Sequence, residues 1–435
     1  MPPPGIPSRD TKSAFSAVEL SRAIAGKKTT PGDIVETLLA RIGDQEGRVH
    51  AWAYLDPEKA RQAAENAGQI AAGKQRGPLH GIPFGIKDIF DTADMPTSWG
   101  SPLYAGRIAG ADAALVAQLK RAGAIALGKT HTTGFAYFDP SPTRNPHNPD
   151  HTPGGSSSGS AAAVACGMVP FALGSQTLGS VLRPASFCGV VGLKPTFGTL
   201  PAGGMLPFAP TLDHPGLFTR TVAEMAWLWT AITTSAAAPP QTAAERRLAW
   251  PRWPIEGELE PEMATGLDQA LAKLASAGFE IHELSLPESF QLLPEATMTI
   301  SRYEGARTHK DRLEQFGSQI GEKLAVLVEE GLRIDPSRYQ QALERLAQAR
   351  RDYAELTANR PLWVTPSALG PAPKGLASTG DPRANAPFTA LGVPAISLPF
   401  GLAPSGLPLG MQLAAARGAE SGLLAAALEC EKSLA

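Results

Sequence analysis

Gly81-Ile82-Pro83-Phe84-Gly85-Ile86-Lys87-Asp88-Ile89 reads as a buried strand over Ile82–Ile89 that carries a lysine near its end. Gly77-Pro78-Leu79-His80-Gly81 breaks the pattern before it. Upstream, Ala, Leu, Ile and Val return at three- and four-residue steps, which predicts helix over residues 15–72. Thr29-Thr30-Pro31-Gly32-Asp33 supplies a start signal: a capping hydroxyl, a first-turn proline and an acid. Downstream, Asp112–Ala122 reads as helix and Ala124–Lys129 as strand. Strand, helix and strand in alternation predict an α/β fold with helices on a sheet's faces.

Further along, Pro140–Pro153 is rich in Pro, Asn and His and reads as an extended loop. Ser160–Gly167 is Ala-rich enough for a closely packed helix, and Val169–Leu173 returns to strand. The Pro/Gly-rich stretch Pro195–Pro215 is long for a loop, which marks it as a candidate site lining. Residues 260–360 read as mostly helical, with one strand at Phe279–His282. Leu362–Pro366 and Val393–Leu398 are strand-like, and no internal repeat is visible. Residues 1–14 read as a flexible tail and residues 15–435 as one domain, with its catalytic core at about 75–235.

The 435 residues carry 39 Lys+Arg against 41 Asp+Glu, with no basic block, so neither nucleic acid nor an anionic membrane is an expected partner. The three cysteines, Cys166, Cys188 and Cys430, form no CxxC pair, which fits a reducing, cytoplasmic setting and argues against a zinc site. Cys166 and Cys188 read as core packing. His131, His147 and His151 cluster in sequence at a spacing that fits no metal pattern. The opening Met1-Pro2-Pro3-Pro4-Gly5 lacks a basic-then-apolar leader pattern.

Two serines stand 24 positions apart in Gly/Ser/Ala-rich runs: Ser156 in Gly154-Gly155-Ser156-Ser157-Ser158-Gly159-Ser160, and Ser180 after Gly174-Ser175-Gln176-Thr177-Leu178-Gly179. A serine is a poor nucleophile until a nearby base takes its proton. A lysine serves as that base if an apolar site keeps it neutral, so Lys87 is the candidate. Small residues around Ser180 let successive backbone N–H groups point one way, which stabilises a developing oxyanion. Gly155–Gly159 also spells GxSxG around Ser157, but the strand which that elbow requires is absent from Asn148–Pro153.

GIPFGIKDIFDTADMPT, TPGGSSSGSAAAVACG and ALGSQTLGSVLRPASFCGVVGLKPTFG, in this order, make the chain resemble the amidase signature family of serine hydrolases over about residues 75–235, and more weakly over 362–415. The resemblance implies a large mixed β-sheet covered by helices on both faces. It also implies Ser180 as nucleophile, Lys87 as general base, and Ser156, on a cis peptide bond, as the relay between them. The backbone N–H groups of Thr177, Leu178, Gly179 and Ser180 would form the oxyanion hole, and no metal or organic cofactor is implied. The expected reaction converts a small-molecule carboxamide to a carboxylate through an acyl-enzyme. Its acyl group would be held by Phe135–Phe138, the 201–214 loop and helix residues near 295–310, in a chain expected to form a homodimer.

The chain departs from the family pattern at four places. Gln176 replaces an acid, Leu178 replaces a glycine within the proposed hole, Arg183 stands one place later than the common arginine, and Gly134 stands where many relatives have an acid. Leucine at 178 requires that its backbone avoid positive φ. The rival readings are a glutaminase subunit of a tRNA-dependent amidotransferase, which shares all three motifs, and a non-catalytic scaffold that kept the fold.

Overall fold

The computed structural model describes residues 16–70, 77–233, 245–251, 258–359 and 361–435, so the expected tail over residues 1–14 lies outside the described residues. Its centre is an eleven-stranded mixed sheet. In chain order the strands are β1 (Trp52–Leu55), β2 (Pro83–Lys87), β3 (Ile125–Thr130), β4 (Phe171–Gln176), β5 (Val191–Lys194) and β6 (His214–Thr219), followed by β7 (Arg247–Pro251), β8 (Glu280–Leu284), β9 (Leu362–Pro366), β10 (Ala395–Leu402) and β11 (Pro408–Ala414). Their spatial order is β1-β3-β2-β4-β6-β5-β10-β11-β9-β7-β8. β2 runs parallel to β3 and β4, β7 runs parallel to β8 and β9, and the remaining pairs are antiparallel.

Alternation along the central strands splits the core between the two faces. Phe84, Ile86, Phe171, Leu173, Leu193 and Leu217 join one apolar cluster, while Ala172 and Phe218 join another that includes Ala161–Ala165. The helix Ser158–Ala165 is buried on every side, because its alanines and serines let it approach the sheet closely. The helix Leu182–Cys188 is likewise buried throughout. Two glycines beneath it explain how. A Cβ on Gly192 would meet Ala185 Cβ at 2.7 Å, and one on Gly216 would meet Val181 Cγ2 at 2.7 Å. The segment carrying Ser180 and its following helix therefore lies directly on the middle of the sheet.

Several expectations need correction. Residues 16–70 are not uniformly helical: helices Ala17–Ala25, Pro31–Val49 and Pro57–Gly68 enclose strand β1. β1 is a four-residue edge strand whose burial is incomplete, so its pattern is too short to separate from the helices around it. The expected helix start is correct in detail, with Thr30 and Asp33 forming a reciprocal capping box before Pro31–Val49. β4 starts at Phe171, not Val169, and continues to Gln176, carrying the chain into the site. β6 starts at His214 and so takes in Pro215, the last residue of the stretch expected as loop, and β11 likewise contains Pro408 and Gly410. Pro215 is tolerated because β5 pairs only with Leu217, Phe218 and Thr219. The 260–360 segment is helical as expected, over Pro261–Ser276, Glu288–Phe316, Glu322–Leu332 and Pro336–Leu356, with β8 as its strand.

Phe84 and Phe171 face each other across β2 and β4 and stack with ring centroids 5.3 Å apart. Both strands feed the site. Phe171→Ala is expected to cost about 3–5 kcal/mol through lost burial and a cavity. A urea unfolding curve checks this, and a loss under about 1 kcal/mol would show that the stack does not anchor the sheet's centre.

Candidate active site

Lys87 is the last residue of β2, and Ile89 N–H and Phe90 N–H both turn back to its carbonyl. Its side chain is fully buried. Nζ lies 2.7 Å from Ser156 Oγ and 2.7 Å from Ser175 Oγ. The adjacent Asp88 does not serve it. Asp88 Oδ1 pairs with Lys129 Nζ at 3.2 Å, both groups buried, and Asp88 Oδ2 accepts the Ser98 hydroxyl at 2.5 Å. Among the described residues Lys87 forms no ion pair. Burial therefore lowers its pKa well below the ordinary lysine value, opposed only by the charge of Asp213.

Ser156 follows a cis peptide bond from Gly155, as the resemblance implied. The other serines of its run brace the backbone. Ser157 Oγ–H donates to the Ser175 carbonyl and its oxygen accepts from Ser175 N–H, both at 3.2 Å. Ser158 Oγ–H donates to the Gly154 carbonyl and Ser160 Oγ–H to the Leu173 carbonyl. Ser157 is fully buried and occupied, which agrees with setting the GxSxG elbow aside. Together these bonds lock the 154–160 run to β4, whose Ser175 faces Lys87.

The Thr177–Ser180 turn leaves β4 and enters the helix Leu182–Cys188. Gln176 holds it: Oε1 accepts from Val181 N–H at 2.9 Å and from Leu182 N–H at 3.0 Å, capping the helix start. Gln176 Nε2 donates to Thr389 Oγ1 at 2.8 Å, and the Thr389 hydroxyl donates to the Leu178 carbonyl at 3.0 Å. A carboxylate at 176 could accept at the helix but could not donate to Thr389. Leu178 is buried and is not among the residues with positive φ, so its Cβ meets no backbone penalty. Gly179 does require glycine, since a Cβ there would meet Asn385 Oδ1 at 2.7 Å.

Arg183, displaced from the family's position, is only 2% exposed. Its Nε donates to the Thr379 carbonyl at 2.7 Å and its Nη2 to the Gly155 carbonyl at 2.8 Å. Among the described residues its Nη1 has no partner. Burial pulls its pKa down to about 10.

A narrow cavity of about 20 Å³ is lined by Ser156, Thr177–Ser180 and Arg183, with Ala136, Tyr137, Phe138, Phe208, Thr379 and Pro382 around them. Tyr137 and Phe208 stack, with ring centroids 5.2 Å apart. An outer chamber of about 620 Å³ shares Tyr137 and Phe138 and adds Arg302, Lys323, Val326 and Glu330. The expected acyl lining is thus corrected in two places. Phe135 sits fully buried behind the wall, edge-on to Tyr104, and of helix residues 295–310 only Arg302 lines either space, in the outer chamber. Gly134, in place of an acid, donates its N–H to the Asp139 carbonyl and lines neither space.

The expectation missed Ser175, Asp213, Thr379 and Thr389. Asp213 Oδ1 accepts the Thr177 hydroxyl at 2.6 Å, and Oδ2 accepts Phe208 N–H at 2.7 Å and Ala209 N–H at 3.1 Å. The histidines lie elsewhere: His147 Nε2 is 3.0 Å from the Cys188 carbonyl and His151 Nδ1 is 2.8 Å from the Ala372 carbonyl. Cys166 and Cys188 are buried, free thiols whose pKa values burial raises.

Residues 33–424 match the family model described as Amidase. The chain belongs to the amidase family. It is 34% identical over 453 aligned residues to a glutamyl-tRNA(Gln) amidotransferase subunit from Shouchella clausii (strain KSM-K16), covering 92% of each chain. A solved structure described as an amidase superposes with a TM-score of 0.89 at 30% identity, over 97% of this chain and all of that one. The peptide amidase of Stenotrophomonas maltophilia superposes with a TM-score of 0.80 at 27% identity, over 96% of each. The mixed sheet with helices on both faces is the fold these amidase-family structures share. Among the described residues, no helix of this family member is long and apolar enough to cross a membrane.

Gln176→Ala would leave the Val181 and Leu182 N–H groups buried without an acceptor and free Thr389 from the turn. It is expected to lower unfolding stability by about 1–3 kcal/mol. It should also slow turnover more than it raises KM, as checked by steady-state kinetics beside a denaturant curve.

Proposed function

We propose that this chain hydrolyses carboxamides by acyl transfer through Ser180. The carrying observation is a fully buried lysine, without an ion-pair partner among the described residues, held 2.7 Å from the hydroxyl of Ser156. A solvated lysine is protonated at neutral pH and cannot act as a base; a desolvated one can. Neutral Lys87 draws the proton of Ser156, which draws that of Ser180, and Ser180 Oγ attacks the amide carbon. Charge gathers on the carbonyl oxygen, facing the N–H groups of Thr177, Leu178, Gly179 and Ser180. The C–N bond breaks as the proton returns through Ser156 to the leaving nitrogen. Water then attacks the ester on Ser180, giving one proton along the same route to Lys87. That proton returns through Ser156 to Ser180 Oγ as the ester bond breaks, and the acid product releases its remaining proton to solvent, leaving as the carboxylate with Lys87 neutral again.

The narrow inner cavity has room for little more than the scissile group, with the bulk of the substrate directed to the outer chamber. The unpartnered Nη1 of Arg183 favours an acyl group that carries a second oxygen acceptor. The free, buried thiols fit a reducing compartment. A second reading, the glutaminase component of a tRNA-dependent amidotransferase, draws support from the 34% identity to the Shouchella clausii protein over 92% of the chain. Glutamine is itself a small carboxamide with further polar groups, so the same site serves both readings. A scaffold role is disfavoured by the intact Lys87–Ser156 contact.

Fluorophosphonate treatment followed by intact mass and peptide mapping is expected to show one adduct, on Ser180, that is lost in Lys87→Ala. Ser180→Ala should abolish hydrolysis across an amide panel that includes glutamine. Lys87→Ala and Ser156→Ala should each cost at least about a thousandfold in kcat/KM. A Lys87→Ala enzyme with near-normal rate would overturn the assignment.

Activity should rise with pH. Lys87 is inactive when protonated and its pKa is depressed, so kcat/KM increases as pH passes upward through that pKa and then levels. A profile falling across that range would contradict a neutral lysine base.

A further inference from the structure

Register brings Asp213 to the site. β4 and β6 pair antiparallel with Ser175 opposite Pro215 and Gln176 opposite His214. One step beyond the last paired residues, Thr177 meets Asp213, and the Thr177 hydroxyl donates to its carboxylate at 2.6 Å. The other carboxylate oxygen gathers the N–H groups of Phe208 and Ala209. Thr177 opens the turn that ends on Ser180, and Phe208 stacks on Tyr137 in the cavity wall. One side chain therefore holds both the floor and the wall of the cavity.

We propose that Asp213 is a positioning residue for amide cleavage, joining the Thr177–Ser180 turn to the aromatic wall and supplying the anionic field that Lys87 faces. This rests on the reading of Lys87 as general base. Asp88, nearest in sequence to Lys87, is consumed by Lys129. Asp213 is the charged group that acts on Lys87 from across the site, and it opposes the lysine's desolvation.

The groups around Asp213 are few. Glu304, on the helix Glu288–Phe316, accepts from Thr211 N–H at 2.9 Å and from the Tyr339 hydroxyl at 2.7 Å, and its charge disfavours ionisation of Asp213. His214 turns away, with Nδ1 2.6 Å from the Leu212 carbonyl and its ring edge-on to Phe197, and burial keeps it neutral. Burial raises Asp213 to about 6 against the pull of its three hydrogen bonds. The acid limb set by Lys87 is accordingly expected to respond to the charge of Asp213.

The test is the pH profile of kcat/KM and of fluorophosphonate labelling for wild type, Asp213→Asn, Asp213→Glu and Thr177→Val. Asn keeps the shape but loses the charge and one acceptor. It is expected to lower kcat about ten- to a hundredfold through misplacement of the turn. Its acid limb should also move to lower pH, because removing an anion eases deprotonation of Lys87. Thr177→Val keeps the carboxylate but loses the tie and one of the hydrogen bonds that hold the Asp213 pKa down, so its rate should fall with the limb displaced less than in Asp213→Asn. Asp213→Glu should retain the limb at reduced rate, and covers the case in which the Asn variant does not fold. An Asn variant with an unmoved limb, or a Glu variant whose limb moves as if the charge were gone, would overturn the proposal. If instead wild type shows no labelling of Ser180, or Lys87→Ala keeps its rate, the general-base reading fails first.

Discussion

The site depends on a buried lysine to which the fold gives no ion-pair partner among the described residues. A buried lysine within reach of a carboxylate would form an ion pair and stay charged. Here the pair is formed by a different lysine: Lys129, on the neighbouring strand, occupies Asp88 and also donates to Thr97 Oγ1 at 2.6 Å. Among the described residues, Lys87 is left with hydroxyl partners alone. Two buried lysines and one carboxylate thus divide the labour, one lysine paired with the carboxylate, the other poised to be neutral. The proposed chemistry follows from that allocation more than from any property of Ser180 itself.

Holding such a group requires rigid surroundings, and these come from small residues and side-chain amides. The Ser157, Ser158 and Ser160 hydroxyls tie the relay segment to β4 and to its own backbone. Gly192 and Gly216 let the helix after Ser180 rest on the sheet without an intervening layer. Gln176 anchors the turn through three bonds, accepting twice at the helix start and donating once to Thr389. The replacement of an acid at that position therefore changes the way the turn is anchored, and Leu178 is accommodated because its backbone is ordinary.

Lys87, Ser156 and Ser180 stand out as candidates in sequence because lysine in an apolar strand and serine among glycines are chemically conspicuous, and because three linked runs carry a family likeness. The long helices between 260 and 360 were legible through their period. β5, β6 and β11 were not, since Pro and Gly within them imitate loops until the close packing of Leu182–Cys188 explains them. Ser175, Asp213 and Arg183 escaped for a common reason: each acquires its role from a partner that sequence does not place beside it. Asp213 meets Thr177 only through the register of β4 and β6, and Arg183 meets Gly155 and Thr379 only once three distant segments converge.

That convergence bears on when the site comes into being. Arg183 reaches Thr379 across 196 positions, and Gln176 reaches Thr389 across 213. β10 and β11, which complete the sheet beside β5, also come from the last quarter of the chain. Contacts that close such long loops form late, after local helices and hairpins are in place. During synthesis, all three of Lys87, Ser156 and Ser180 leave the ribosome long before the segment that ties the turn between them. A nascent chain holds these side chains without their geometry, and whatever chemistry the site performs is withheld until the segment around Thr379–Thr389 has emerged.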